Sequence, residues 1–146
     1  MEEEIQQLPA FDTRHKGEVA QLRAQLAAAK KGFFCSRPTM EGCRYDLIVD
    51  DGRKLHRVQC KYVGIEKNGI VRVGLEKFTG GTKVYTSRTY SATEVDAIIV
   101  YVATIERLLW LPPDVWNGKH AVHLRLTPAS NNQKKGILLI QDYLWG

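Results

Sequence analysis

Along the chain, one long stretch carries helical spacing: "HKGEVAQLRAQLAAAKKGF" (15–33). Val19, Leu22, Leu26 and the alanines that follow are its apolar positions, alanine favours helix, and Lys30-Lys31-Gly32 supplies a basic last turn and a stop. From there the period changes to two. "FFCSRP" reads as a short strand ended by Pro38, and "RYDLIVDDGRKLHRVQCKYV" (44–63) as a hairpin turning at Asp51-Gly52 through a two-residue turn of the primed type. "NGIVRVGLEKF" alternates as a further strand, while the glycine- and threonine-rich "TGGTKVYTSRTYSATE" reads as an exposed hairpin or loop. "VDAIIVYVATIERLLWLPP" holds two strands joined near Thr104-Ile105-Glu106, the first apolar enough to be central and covered on both faces. Two short apolar runs flank the polar "NNQKK" in the tail. A helix followed by a run of strands predicts an α/β or α+β domain with a mixed sheet.

The hairpin holds the candidate chemistry. Alternation places Arg57, Gln59 and Lys61 on one face and His56, Val58, Cys60 and Tyr62 on the other. A two-residue turn sets Asp46 opposite Arg57, with Gln59 diagonally across and Lys61 one step further. An acid, an amide and an amine then converge at the open end of the hairpin. A hard cation such as Mg²⁺ takes oxygen ligands, and this trio offers the Asp46 carboxylate, the Gln59 amide oxygen and the Cys60 main-chain carbonyl between them. Lys61 is placed to hold an attacking water or to offset charge on a phosphoryl oxygen. The set suits metal-assisted phosphodiester hydrolysis. A plainer reading stands beside it: an Asp46–Arg57 salt bridge with Gln59 and Lys61 as solvated strand residues.

Composition narrows the field. At 146 residues and 16.6 kDa, with 25% charged residues, the chain is expected to form one domain. It has no apolar run of membrane-spanning length, and "MEEEIQQLPAFD" resembles neither a signal nor a transit peptide. Three cysteines without CxxC spacing argue for a reducing, cytoplasmic setting and against a disulfide framework or zinc site. The net charge is +5 although the first four residues hold three acids, so the body is basic and suits a polyanion. Arg72, Lys77, Lys83 and Arg88 form a partly alternating basic band, and Asn131, Asn132, Gln133, Lys134 and Lys135 a polar loop. Both suit DNA contact, and both suit an ordinary solvated surface. Of the histidines His15, His56, His120 and His123, the last two lie on opposite faces of a strand-like run with no partnering ligand nearby, and solvated or core histidines are expected.

The order of these motifs resembles the PD-(D/E)XK nucleases, in the form used by bacterial group I intron homing endonucleases. The residues that carry the likeness are Lys16-Gly17-Glu18 opening the helix, Tyr45-Asp46-Leu47, and Gln59-Cys60-Lys61. "YSATEVDAIIVYVATIERLLWLPP", with a tyrosine, a pre-strand Asp96 and strand–turn–strand, resembles the family's second half. The resemblance spans 14–113, leaving 1–12 as a leader and 114–146 as a C-terminal extension. It implies a restriction-endonuclease-like core with the N-terminal helix packed on the sheet. By the same likeness Glu18 is the helix-borne acid, Asp46 the metal ligand, and Gln59 and Lys61 the remaining pair, with Mg²⁺ as cofactor and Mn²⁺ as substitute. Glutamine stands where the wider superfamily has Asp or Glu, which removes a negative charge but keeps an oxygen ligand. For Glu18 the helix dipole offers a second explanation, an acid favoured in the first turn, and Gln21 is the alternative occupant of its role. The implied function is a site-specific double-strand cut in double-stranded DNA by a homo-oligomer, dimer or tetramer, in a bacterial host. Junction-resolving or restriction-like cleavage, and a non-cleaving DNA-binding module, are the alternatives.

Overall fold

Asp12 opens the helix by accepting the His15 N–H on its side chain at 2.8 Å, and helix α1 then runs Thr13–Lys30. The structure, a computed structural model, describes residues 12–81, 84–128 and 136–146, and for 77–81 and 84–88 the backbone alone. The helix closes with a Schellman motif: Gly32, at φ +79°, donates to Ala29 O (3.0 Å), and Phe33 donates to Ala28 O (2.9 Å).

The face that α1 buries carries alanines rather than leucines. Ala20, Ala24, Ala27 and Ala28 are buried, whereas Leu22 and Leu26 remain 53% and 49% exposed. The sheet beneath supplies the bulk, with Leu47, Val49, Val58, Ile99 and Tyr101 in the same cluster. Small side chains on the helix let its backbone approach that surface at interior density.

The strands, in chain order, are β1 (Phe34–Ser36), β2 (Leu47–Asp50), β3 (Leu55–Val63), β4 (Ile70–Gly74), β5 (Glu76–Gly81) and β6 (Val84–Thr89). They continue as β7 (Ala97–Val102), β8 (Arg107–Leu111), β9 (Ala121–Arg125), β10 (Leu138–Leu139) and β11 (Leu144–Trp145), with a short helix α2 at Pro113–Trp116. Six form one sheet in the order β1-β2-β3-β7-β8-β11. It is mixed: β3 and β7 are parallel and the other neighbours antiparallel. β7 is buried at every residue, as its unbroken apolar run predicted. Ala97, Ile99 and Tyr101 face the helix side, while Ile98, Val100 and Val102 face a second core. That second core is closed by the three-stranded sheet β10-β9-β4 and by Trp116, fully buried with its indole N–H donating to Leu111 O at 2.8 Å. The segment expected as one strand after Asn68 divides at Leu75 between this small sheet and a separate β5–β6 ribbon.

The hairpin is correct in its strands and wrong in its turn. Leu47 pairs with Val58 and Asp50 with Leu55, so 51–54 form a longer loop than the predicted Asp51-Gly52 pair. Asp51 Oδ1 accepts the Arg53 and Lys54 N–H groups, each at 2.8 Å, and Asp50 Oδ1 accepts that of Gly52 at 2.9 Å. These side chains satisfy the loop amides and hold it open. The register is displaced by two residues, and an even displacement leaves every β3 side chain on its predicted face.

Candidate active site at the end of the central strands

Val58 and Cys60 lie buried under α1, so alternation turns the half-buried Gln59 and Lys61 to the other face of β3. β2 stops at Leu47, opposite Val58, and beyond that point no strand among the described residues pairs with the outer edge of β3, while its inner edge stays paired with β7. Asp46 occupies the first step of this gap. Its main-chain N–H donates to Val58 O (2.8 Å) and its Oδ2 accepts the Cys60 N–H (2.9 Å). The carboxylate stands in for the next carbonyl of the ladder and brackets Gln59. In a strand the N–H and C=O of a residue point to the same edge, so the Cys60 carbonyl faces the same gap. Asp46 therefore meets the Gln59–Lys61 segment directly rather than diagonally, a consequence of the longer loop.

Arg57 is not the partner of Asp46. Its main-chain N–H and Nε donate to Asp96 Oδ2 (2.8 and 3.0 Å), its Nη2 to Asp96 Oδ1 (3.0 Å), and its Nη1 to Thr93 O (2.8 Å). These hydrogen bonds hold the Asp96 carboxyl down to about 2, below the usual carboxylate range. The Asp96 N–H returns a bond to Arg57 O at 2.8 Å. This clamp joins β3 to the start of β7 immediately before the site.

Lys61 reaches toward Tyr90. Its Nζ donates to the Tyr90 hydroxyl at 3.3 Å and lies 4.9 Å from the ring centroid. The Arg44 guanidinium lies 4.5 Å from the same centroid, while its Nε donates to Glu94 Oε2 and its Nη2 to Thr89 O, both at 2.8 Å. Burial is the main cause pushing the Tyr90 phenol up, with Arg44 opposing it and the Asp46 charge adding to it. Burial, followed by the Asp46 charge, also pushes the Cys60 thiol far up, which keeps it protonated. The Asp46 carboxylate is thus felt on both sides of the Gln59–Lys61 segment.

Glu18 is not brought to Asp46. It is exposed, and its Oε1 accepts from Arg37 Nη2 at 3.0 Å. Arg37 in turn lines an open cleft of about 340 Å³ with Asp46, Tyr45 and Gln21. Gln21, the alternative occupant, reaches the cleft itself, while Glu18 stands one side chain removed. The helix begins at Thr13, not at Lys16, so Glu18 lies in the second turn and the first turn has no acid. The dipole explanation for Glu18 falls with that.

Among the described residues no three His, Cys, Asp or Glu side chains gather as a metal ligand set. At the gap stand the Asp46 carboxylate and the Cys60 carbonyl, with half-buried Gln59 beside them on β3; their oxygens are hard donors of the kind that suit Mg²⁺. Of the histidines, His15 pairs with Asp12, His56 with Asp51 and His120 with Glu76. Arg72 is exposed on β4, opposite His123. Lys77 and Arg88 are paired in register across the β5–β6 ribbon, and Lys83, Asn132, Lys134 and Lys135 lie outside the described residues. Sequence reasoning missed Arg37, Arg44 and Glu94 as neighbours of the site, and named Tyr90 without a role. Tyr90, the second tyrosine of the threonine- and serine-rich segment 79–94, was the available signal.

A carboxylate at the end of a hairpin strand, with an amide and an amine on the next strand, is the arrangement of one nuclease class. The chain belongs to the PD-(D/E)XK endonuclease family, whose model matches residues 11–145. It therefore carries a nuclease domain, and nucleases of this family generally use divalent metal ions. Among solved structures it is similar to a bacterial homing endonuclease, I-Ssp6803I, at 25% identity and a TM-score of 0.75, over 92% of this chain and 89% of that one. That likeness and the family match bear out the restriction-endonuclease-like fold. The Holliday junction resolvase Hjc of Archaeoglobus fulgidus, an archaeal hyperthermophile, matches at 14% identity over 75% of this chain and 84% of that one. Its TM-score of 0.46 is too low for it to bear on function. A sequence search of curated proteins finds no match.

Proposed function

We propose that the protein is a metal-dependent, site-specific DNA endonuclease of the homing type, cutting both strands of double-stranded DNA. The observation that carries this reading is the Asp46 carboxylate bonded to the Cys60 N–H at 2.9 Å, where β2 ends and Gln59 and Lys61 continue on β3. Family membership supports cleavage, and the likeness to a bacterial homing endonuclease over most of both chains supports the homing type.

Asp46, the Gln59 amide oxygen and the Cys60 carbonyl would hold the metal ion, Mg²⁺ or Mn²⁺ in its place, with Gln21, which lines the cleft beside Asp46, or Glu18, one side chain further out, as the helix-borne group. When bound, a dication polarises the scissile phosphate and lowers the pKa of a coordinated water. The protein's own part is electrostatic. In hydrolysis a water oxygen bonds to phosphorus, one P–O ester bond breaks, and negative charge grows on the non-bridging oxygens. The Lys61 ammonium offsets that charge or orients the water. Gln59 contributes no charge, so the site has one formal negative group at the strand end rather than two, and metal binding is correspondingly weaker. The β5–β6 ribbon, with Lys77 opposite Arg88, is a two-stranded element of the kind the DNA major groove admits, and Arg72, Lys83, Asn132, Lys134 and Lys135 are the further candidates for DNA contact. One copy supplies one cutting centre, so a double-strand cut calls for a dimer or tetramer.

The test is cleavage by Asp46→Asn and Lys61→Ala. Each should lose on the order of a hundredfold or more in rate while retaining fold and DNA affinity. Wild-type turnover by either variant at saturating Mg²⁺ would remove that residue from the site.

A further inference from the structure

Tyr90 takes no part in the chemistry proposed above, yet it is firmly held beside it. It is 3% exposed and packs in the second core with Val71, Val95 and Trp116. Its carbonyl accepts the Gly118 N–H at 3.3 Å. Arg44 lies against the ring, and that guanidinium is itself fixed by Glu94, in a pair whose side chains are only 14% and 25% exposed. Lysine, by contrast, has a long flexible stem. Between the two runs the 3.3 Å hydrogen bond from Lys61 Nζ to the Tyr90 hydroxyl.

We propose that Tyr90 is a positioning residue for the cleavage reaction, its buried hydroxyl and ring fixing where the Lys61 ammonium stands. The proposal rests on the assignment of Lys61 above. An ammonium has three N–H donors, and giving one to a buried, fixed phenol sets where the amine stands. The ring, 4.9 Å from Nζ at its centroid, adds a second attraction that holds the ammonium in place. Burial holds the phenol protonated, so the hydroxyl accepts the ammonium's hydrogen bond as a neutral group and brings no second anion to the site. Arg44 stands two residues before Asp46, so the same stack ties the chain carrying the carboxylate to the place of the amine.

Tyr90→Phe keeps the ring and its packing and removes only the hydroxyl. Single-turnover cleavage at saturating DNA and Mg²⁺ should fall about tenfold or more, as expected for a misplaced catalytic group. DNA affinity should stay within about twofold, so the loss appears in the rate and not in binding. In NMR of lysine-labelled protein the Lys61 side-chain signals should shift while those of the other lysines hold. A wild-type rate overturns the proposal, and so does a reduced rate with unmoved Lys61 signals, which would mark the loss as structural. Should that variant unfold, Glu94→Gln, which loosens Arg44 against the ring, carries the test: a slower rate with shifted Lys61 signals supports the proposal, and a wild-type rate or unmoved signals overturn it. Lys61→Ala separates the two layers. If it cleaves normally, the site assignment falls and this proposal with it. If it is inactive while Tyr90→Phe matches wild type, only the proposal falls.

Discussion

Replacing Asp96 by asparagine keeps the shape of the clamp on Arg57 and removes its charge. The folded Asp96 carboxyl titrates near 2 against 3.8 for a free one, and at about 1.4 kcal/mol per pH unit the difference is roughly 2.5 kcal/mol. The Arg57 side chain is 35% exposed, so solvent screens part of this, and about 1–2 kcal/mol is expected at pH 7. For a domain of this length that is a fall in Tm of about 3–8 °C. The sign of the pH dependence follows from the direction of the shift. A carboxyl depressed in the folded state stabilises it fully above the unfolded value, near pH 4, and loses that contribution as pH falls toward 2. Urea unfolding of wild type and Asp96→Asn between pH 7 and pH 2.5 should therefore show a gap that is constant down to about pH 5 and then closes. Equal stabilities at pH 7, or a gap that persists undiminished at pH 2.5, would refute the assignment of the clamp as a charged one.

Two further outcomes are expected. Ala24→Leu places a bulky side chain where the helix meets the sheet with 0% exposure, and overpacking there should cost about 1–3 kcal/mol in urea unfolding, whereas Leu22→Ala, on the exposed side, should change monomer stability little. Sedimentation at working concentration should give a dimer or tetramer, and a monomer that still makes concerted double-strand cuts would contradict the need for two cutting centres.

The parts legible in the sequence were those set by local pattern. β7 shows an unbroken apolar run because both its faces are covered, and alternation placed Val58 and Cys60 inward and Gln59 and Lys61 outward. What failed depended on partners distant in sequence or on the shape of the opposing surface. The loop at 51–54 is opened by side-chain hydrogen bonds from Asp50 and Asp51, residues that read equally well as part of a tight turn. α1 turns alanines inward because the sheet beneath it is bulky, a fact that no helical period contains. Arg57 finds Asp96 across 39 residues, so the nearer Asp46 was the natural but mistaken partner. Glu18 was placed by motif order alone, and its engagement with Arg37 depends on where β1 delivers that arginine.

Gln59 separates a metal site from a solvated strand most sharply, because it adjoins Cys60, whose N–H Asp46 accepts, and stands two residues before Lys61. Cleavage of a random-target DNA library by wild type, Gln59→Glu and Gln59→Ala, across a Mg²⁺ titration, reports activity, target and metal use together. With Gln59 as an oxygen ligand, Gln59→Glu retains most activity and reaches it at lower Mg²⁺, while Gln59→Ala loses about a hundredfold or more at every Mg²⁺ concentration. Wild-type cleavage by Gln59→Ala across that titration would contradict the account.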